Sequence, residues 1–148
     1  MVNQLEGFLD EYLVQKAPFA LPDNVKEFIV KVMPYLILVF AIVTIPVIVA
    51  ALGLTALLAP FALLSGVTGH GFGLWGILHV AVALASLIVE LFAVKGLFAR
   101  TKRGWRLAFY ASLIGLAGNI LSFDILNGIL GAIIGWYFLF QVKEKYTE

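Results

Sequence analysis

An uncharged stretch from Val32 to Val89, free of Asp, Glu, Lys and Arg, constrains the fold more than any other part of this sequence. At about 20 residues for each crossing, it is long enough for two membrane-spanning helices. The segment PFALLSGVTGHGFG at 60–73 interrupts it with a proline and several glycines, residues that break helices. We therefore predict two apolar helices, at about 35–59 and about 74–98.

The composition also favours a protein that lies in a membrane. Hydrophobic residues make up 62% of the 148 residues and charged residues 13%, whereas a typical soluble domain has about 45–50% apolar and about 25% charged residues. A soluble core could not bury this excess, so we expect the lipid bilayer to be the main partner. The formal net charge of +1 lacks the basic bias of proteins that bind nucleic acid. The absence of cysteine excludes thiol catalysis, disulfides and cysteine-based metal sites.

Two further apolar segments lie at about 105–121 and about 125–142. The basic loop before them contains Arg100, Lys102, Arg103 and Arg106. Because Lys and Arg concentrate in cytoplasmic loops, the position of this loop places both termini in the cytoplasm. We thus predict an all-α membrane protein, a multi-pass protein of the bacterial inner membrane with four transmembrane helices in a compact bundle. Trp105, Tyr35 and Tyr146 would lie at the cytoplasmic interface.

Residues 1–20 are predicted to form a separate element before a four-helix domain of residues 21–148. Apolar residues recur in MVNQLEGFLDEYLVQK at three- and four-residue spacing, which predicts an amphipathic helix. Helices that lie on lipid usually carry Lys and Arg on the polar face, but this one carries Glu6, Asp10 and Glu11. We therefore expect it to dock across the cytoplasmic mouth of the bundle, near the basic loop. The alternative is a loosely attached interfacial helix.

Small residues recur along three of the predicted spans. Membrane helices approach closely where Gly, Ala and Ser lie at their interface. The small residues are Gly76 and Ala83 in the second span, Gly115 and Gly118 in the third, and Gly128, Gly131 and Gly135 in the fourth. They predict tight packing of these three spans, and also suit a homo-oligomer or contact with another membrane protein. The first span is bulkier and would lie at the periphery.

Polar residues within the apolar segments define a candidate intramembrane site. Its members are His79, Ser86, Glu90 and Asn119. Ionisable groups in hydrocarbon are costly, and each therefore warrants a functional hypothesis. Glu90 has two interpretations. It either accepts a charged hydrogen bond from Arg106, Arg100 or Lys31 and so holds helices together, or it carries a proton or a cation.

His79 also has two interpretations. It either forms a hydrogen bond with Asn119, Asn127 or Ser122, or it contacts a proton or substrate near the outer surface. With His70 and Asp124 it is a poor candidate for a metal site, which needs three or four ligands that meet. The sequence contains no pattern of a nucleophile with its base and no phosphate-binding loop. We therefore expect no enzymatic activity, no metal and no cofactor.

The segments FLDEYLVQKAPFALPDNVKEFIVK (8–31) and GWYFLFQVKEKY (135–146), with the apolar segments between them, resemble small uncharacterised bacterial integral membrane proteins with four spans. The resemblance extends over most of the chain and implies an N-terminal helix, a short linker and a four-helix bundle. It implies no activity and no site residue. From the residues themselves we expect a structural or accessory membrane protein that acts through helix packing and oligomers. The alternative is a small proton-coupled transporter or channel that uses Glu90.

Overall fold

The structure is a computed structural model that describes residues 2–17, 19–65 and 74–147. All of the regular elements in these residues are helical. Its five α-helices are α1 (Val2–Asp10), α2 (Asp23–Ser65), α3 (Leu74–Phe98), α4 (Lys102–Leu121) and α5 (Ile125–Gln141). A π-helical turn, Glu11–Gln15, continues α1, and a 3-10 turn, Lys143–Lys145, follows α5. The prediction of an all-α fold is confirmed.

Two helical stretches are long and apolar enough to cross a membrane, Asp23–Leu58 and Gly76–Phe98. The apolar helix α5 has 17 residues, or about 26 Å at 1.5 Å per residue, slightly less than the hydrocarbon core of about 30 Å. Helix α4 has 20 residues but begins with the charged sequence KRGWR, which shortens its apolar part. The structure therefore has two clear membrane-length apolar helices and a shorter one, and not the four equally clear spans that we predicted.

Helix α2 is longer than predicted at both ends. It begins at Asp23, just after Pro22, whose carbonyl accepts the amide of Lys26 at 3.0 Å. It then continues through Pro34, Pro46 and Pro60 to Ser65, so the predicted end of the helix before Pro60 is wrong. An internal proline removes one backbone hydrogen bond and bends the helix, but need not end it. The rest of the predicted interruption, residues 66–73, lies outside the described residues.

The long helices form a row in which each packs on its neighbour in the sequence. Helix α3 packs most extensively on α4, then on α2, and α4 packs on α5. The prediction that the spans corresponding to α3, α4 and α5 pack tightly together is therefore only partly correct, because α4 separates α3 from α5. An open row leaves space between its first and last members, and the candidate site lies there.

Most of the buried residues lie at one end of the molecule, in a group that we call the basal cluster. Its members are Leu9, Val30, Ala93, Leu97, Trp105, Phe109, Leu139, Phe140, Val142 and Tyr146. The ring of Phe140 lies edge-on to the rings of Trp105 and Phe109, with centroids 5.1 Å and 5.4 Å away. The opposite half contains a smaller group, Ala41, Ile48, Val80 and Leu87, to which only α2 and α3 contribute. We call this group the upper cluster.

Two of the aromatic residues predicted to lie near the membrane interface are members of the basal cluster. Trp105 is 2% exposed and Tyr146 is 1% exposed. The indole Nε1 of Trp105 donates to the carbonyl of Leu139 at 2.8 Å, so its polar group is satisfied inside the protein and needs no interfacial water. Tyr35 is exposed.

The closest approach of two helices occurs at the hairpin between α3 and α4. A Cβ on Gly96 would lie 2.5 Å from the Cα of Gly104, so neither position has room for a side chain. Between them, Arg100 has a φ of 54°, and the Thr101 side chain caps α4 by accepting the amide of Gly104 at 3.1 Å. The sequence analysis did not identify this glycine pair.

The predicted small-residue contacts are only partly present. A Cβ on Gly128 would lie 2.6 Å from the Cβ of Asn119, and one on Gly118 would lie 3.2 Å from Val82. Gly131 and Gly135 have nothing within 4 Å of such a Cβ. The prediction that they pack against another helix of the chain is therefore wrong for the described residues, because α5 contacts α4 through other positions, among them Gly128, Trp136 and Leu139.

Helix α1 docks on the basal end through its acidic residues. The Lys143 ammonium lies 3.2 Å from the Glu6 carboxylate and 3.1 Å from that of Asp10. Arg106, from the predicted basic loop, lies 3.8 Å from Glu6. Next to them, the Gln141 amide donates to the carbonyl of Leu13 at 2.7 Å. The helix is thus bound to the bundle and not loosely attached, although Lys143 contributes more than the basic loop.

Candidate functional site

The space between the ends of the row is a cavity of about 480 Å³ whose walls come from α2, α3, α4 and α5. We call it the central groove. Its walls are mainly apolar, and its polar lining consists of Thr44, Ser86, Glu90, Ser112 and Trp136. Among the described residues that line it, Glu90 is the one with an ionisable carboxyl or basic group. A mainly apolar cavity with a few convergent polar groups is the usual form of a small-molecule site.

The Glu90 carboxylate is poorly satisfied by the protein itself. Its partner is the hydroxyl of Ser86, one turn earlier on α3, at a long 3.4 Å. The same hydroxyl lies 2.9 Å from the carbonyl of Ala111 on α4. A serine hydroxyl has one proton to donate, and the shorter geometry favours Ala111. Glu90 therefore retains acceptor capacity directed at the groove.

The predicted cationic partners of Glu90 are bound elsewhere. Arg100 forms an ion pair with Glu27, and Arg106 approaches Glu6. Within the described ranges, neither Lys31 nor any other basic side chain forms an ion pair with Glu90. The interpretation of Glu90 as one half of a helix-stapling ion pair is therefore wrong. The acids of α1 and of the start of α2 lie closer to these arginines and compete for them.

On the other side of the groove, a pair of hydrogen bonds holds an aromatic ring in place. The indole Nε1 of Trp136 donates to the hydroxyl of Ser112 at 2.8 Å. That hydroxyl donates in turn to the carbonyl of Phe109 at 2.6 Å. Phe40 adds a second aromatic side chain to the lining. Aromatic faces attract cations, as the Glu90 carboxylate does, so both features favour a positively charged ligand.

The structure separates the four residues that we grouped as one polar site. Ser86 and Glu90 lie together, but His79 is eleven residues before Glu90 on the same helix, or about 16 Å along its axis. His79 forms the expected hydrogen bond, with Ser122 as its partner. The Asn119 amide donates to the carbonyl of Gly115 at 3.2 Å within its own helix. Neither His79 nor Asn119 lines the central groove.

The residues of the basic loop are spread over different surroundings. Arg100 and Arg106 take part in ion pairs with acids of the N-terminal region. Lys102 lines small cavities beside the C-terminal tail, and Arg103 lines a groove between α3 and α4. The loop is therefore not a single basic patch. His70 lies outside the described residues, and the described part contains no group of three metal-ligating side chains.

Sequence analysis missed Thr44 and Trp136 as members of the groove. The sequence could have identified Trp136, because an indole within the apolar sequence of α5 needs a partner for its N–H. Thr44 lies within the apolar sequence of α2, about one turn after Phe40, and nothing in its local sequence marks it.

No protein-family model matches this chain, and comparisons with curated proteins and with solved structures give no match either. The resemblance to small bacterial membrane proteins therefore stays a prediction. The geometry of the central groove is the main guide to function.

Proposed function

We propose that this protein is a multi-pass protein of the cell membrane, with α2–α5 crossing the bilayer and both termini on the cytoplasmic side. Two membrane-length apolar helices support this. So does the surface of α2, on which Ile42 is 69% exposed and Leu57 is 70% exposed. Contiguous exposed apolar surface of this kind is costly in water and stable in lipid. The basic residues at the basal end support the orientation.

We further propose that it is a small proton-coupled transporter whose substrate is a lipophilic organic cation bound in the central groove. The observation that carries this proposal is an unpaired carboxylate, Glu90, that lines an apolar cavity. Apolar walls accept alkyl or aryl groups, and the carboxylate with the wall of Trp136 and Phe40 attracts positive charge. The carboxylate holds either a proton or the cation, so binding of one releases the other. That exclusion would couple the two fluxes.

The first test is binding of tetraphenylphosphonium, a lipophilic cation, to the purified protein in neutral detergent. Calorimetry in buffers of different ionisation enthalpy would show binding with release of a proton. Glu90→Gln should weaken binding more than tenfold, because it removes the only charge that lines the groove. Glu11→Gln is the matched control, since that carboxylate lies outside the groove and pairs with Lys16. Equal binding by both variants, or no binding by the wild type, would contradict the proposal.

The second test is transport. In vesicles with an internal pH dye, external tetraphenylphosphonium should cause a proton flux above that of protein-free vesicles. Glu90→Gln should lose this flux while its thermal melting stays close to that of the wild type. A variant that folds and transports normally would exclude the proposed role of Glu90.

A structural or accessory function through oligomers is the second candidate. The open Gly131 position on α5, which does not line the central groove, favours it, because such a position allows a second helix to approach closely. Gly131→Leu should then shift the protein towards monomers, as measured by crosslinking in vesicles, and leave cation binding unchanged. An unchanged oligomeric state would remove the support for this candidate.

A further inference from the structure

A second groove lies on the outer side of the α3–α4 hairpin and has a volume of about 600 Å³. We call it the lateral groove. Gly96 and Gly104, where the backbones of α3 and α4 meet, are among its lining residues. Val89, Phe92 and Leu107 provide apolar walls, and Phe92 is 71% exposed. The lateral groove is separate from the central groove, with which it shares no lining residue.

Half of the basic side chains that lack an acidic partner among the described residues line this groove. Of the 10 Lys and Arg residues, six form ion pairs: Lys16, Lys26, Arg100, Arg106, Lys143 and Lys145. The four without an ion pair in the described structure are Lys31, Lys95, Lys102 and Arg103. Two of these four, Lys95 and Arg103, line the lateral groove, and no acidic side chain is among its described lining residues. The charge of the groove is therefore complementary to an anion.

Polar and apolar groups are also arranged in sequence along the groove. Val89 and Phe92 precede Lys95 on α3, so apolar wall extends for about 9 Å from the basic end towards the middle of the helix. Arg103 lies in the first turn of α4, where the helix dipole adds partial positive charge. An amphiphile with an anionic head and a hydrocarbon tail fits this order. A small soluble anion would use only the basic end.

We propose that the lateral groove binds an anionic phospholipid of the cytoplasmic leaflet, with its phosphate between Lys95 and Arg103 and an acyl chain against Val89 and Phe92. Basic sites between helices on the cytoplasmic side are a recurrent form of lipid recognition. The Thr101 hydroxyl lies at the same end, but it already donates to Gly96 and accepts from Gly104. Recognition therefore depends on charge and not on the structure of the headgroup. The inference rests on the proposed membrane location and is independent of the role of Glu90.

Native mass spectrometry of the protein in neutral detergent tests the proposed lipid site. The two probes are phosphatidylglycerol and phosphatidylcholine with the same acyl chains. The wild type should bind phosphatidylglycerol in preference. The double variant K95Q/R103Q should lose about tenfold of that preference, since each cation near an anionic lipid contributes appreciably. The matched control is K31Q/K102Q, which removes the same amount of unpaired charge away from the groove. An equal loss in both double variants would overturn the proposal by showing a general effect of net charge.

Two further measurements separate the remaining outcomes. Inorganic phosphate added at millimolar concentration should not displace the lipid, and displacement would identify a site for free phosphate instead. Flotation with vesicles reports whether the protein is in the membrane at all. A protein that does not float contradicts the proposed location, whereas one that floats without preferring phosphatidylglycerol contradicts only the lipid site.

Discussion

The two ends of this molecule are held together differently. At the basal end, aromatic rings pack edge to face and segments distant in the sequence are joined by ion pairs, such as that of Lys26 with Glu144 at 2.7 Å. In the other half, the upper cluster consists of four residues from two helices. The basal end thus resembles the core of a soluble protein. The other half has little internal burial, and most of its large apolar side chains are exposed.

This difference explains the position of the central groove. Close packing fills the interior of the basal cluster, and Leu139 is its one member among the described residues that line the central groove. The central groove begins where the basal cluster ends and continues between helices that lack a common core. A rigid base with an open upper part would allow the helices around the groove to move relative to one another.

The largest effect should come from the centre of the basal cluster. Trp105→Ala removes a buried indole together with its hydrogen bond to Leu139. We expect the free energy of unfolding to fall by about 3–5 kcal/mol, the range for such truncations. Phe92→Ala, on an exposed surface of α3, is the control and should change it by less than about 1 kcal/mol. Denaturation in mixed micelles measures both, and similar losses would show that the basal end is not the main source of stability.

A smaller effect is expected where α3 and α4 meet. Gly96→Ala places a methyl group 2.5 Å from the Cα of Gly104, and the backbones must separate. We expect a loss of about 1–3 kcal/mol. Gly131→Ala, where a Cβ meets nothing within 4 Å, should be neutral or slightly stabilising because alanine favours helix. If both glycines tolerate alanine equally, the hairpin is not as tightly packed as described.

Removing one acid from the docked N-terminal helix should have a weaker and local effect. Glu6→Gln breaks the contacts with Lys143 and Arg106, and partly exposed ion pairs contribute at most about 1 kcal/mol each. Hydrogen exchange in residues 2–15 should become faster, and high salt should have the same effect on the wild type. Glu11→Gln serves as the comparison, since Glu11 pairs within its own turn with Lys16. Unchanged exchange in Glu6→Gln would mean that apolar contacts alone dock the helix.

The smallest effect concerns Tyr146. Burial raises the pKa of its phenol from 10.0 to about 12, and the positive charge of Arg100 partly opposes the rise. The folded state thus favours the neutral phenol, so this contribution to stability is complete below pH 10 and is lost as the pH rises towards 12. Ultraviolet titration should show a late tyrosine ionisation near pH 12. Tyr146→Phe should remove that late step, and its persistence would assign the step to another tyrosine.

Sequence patterns predicted the features that depend on local composition. The uncharged stretch from Val32 to Val89 predicted long apolar helices, and the acidic face of residues 1–20 predicted docking by charge. Both follow from neighbouring residues along one helix. The predicted break at Pro60 failed because proline bends an apolar helix without necessarily ending it.

The site was harder to predict because it depends on which helices become neighbours. Several basic residues lie close enough in the sequence to pair with Glu90. Glu6 and Glu27 compete with Glu90 for them, and the sequence does not show where the helices that carry these two acids lie. Likewise, small residues on α5 indicate a face for close contact but not the helix that would occupy it. An open row and a closed bundle can be built from the same helices with the same small residues on their faces.

The basal end also determines when the chain can finish folding. Tyr146 and Val142 belong to the basal cluster, Lys145 pairs with Asp23, and the amide of Thr147 donates to the carbonyl of Arg100 at 3.2 Å. These contacts join segments that are synthesised early to segments that are synthesised much later. During translation, α2 and α3 are therefore complete long before residues 142–147 can close their base. Until those residues have been synthesised, the hairpins lack their packed core and their apolar surfaces are open to other contacts.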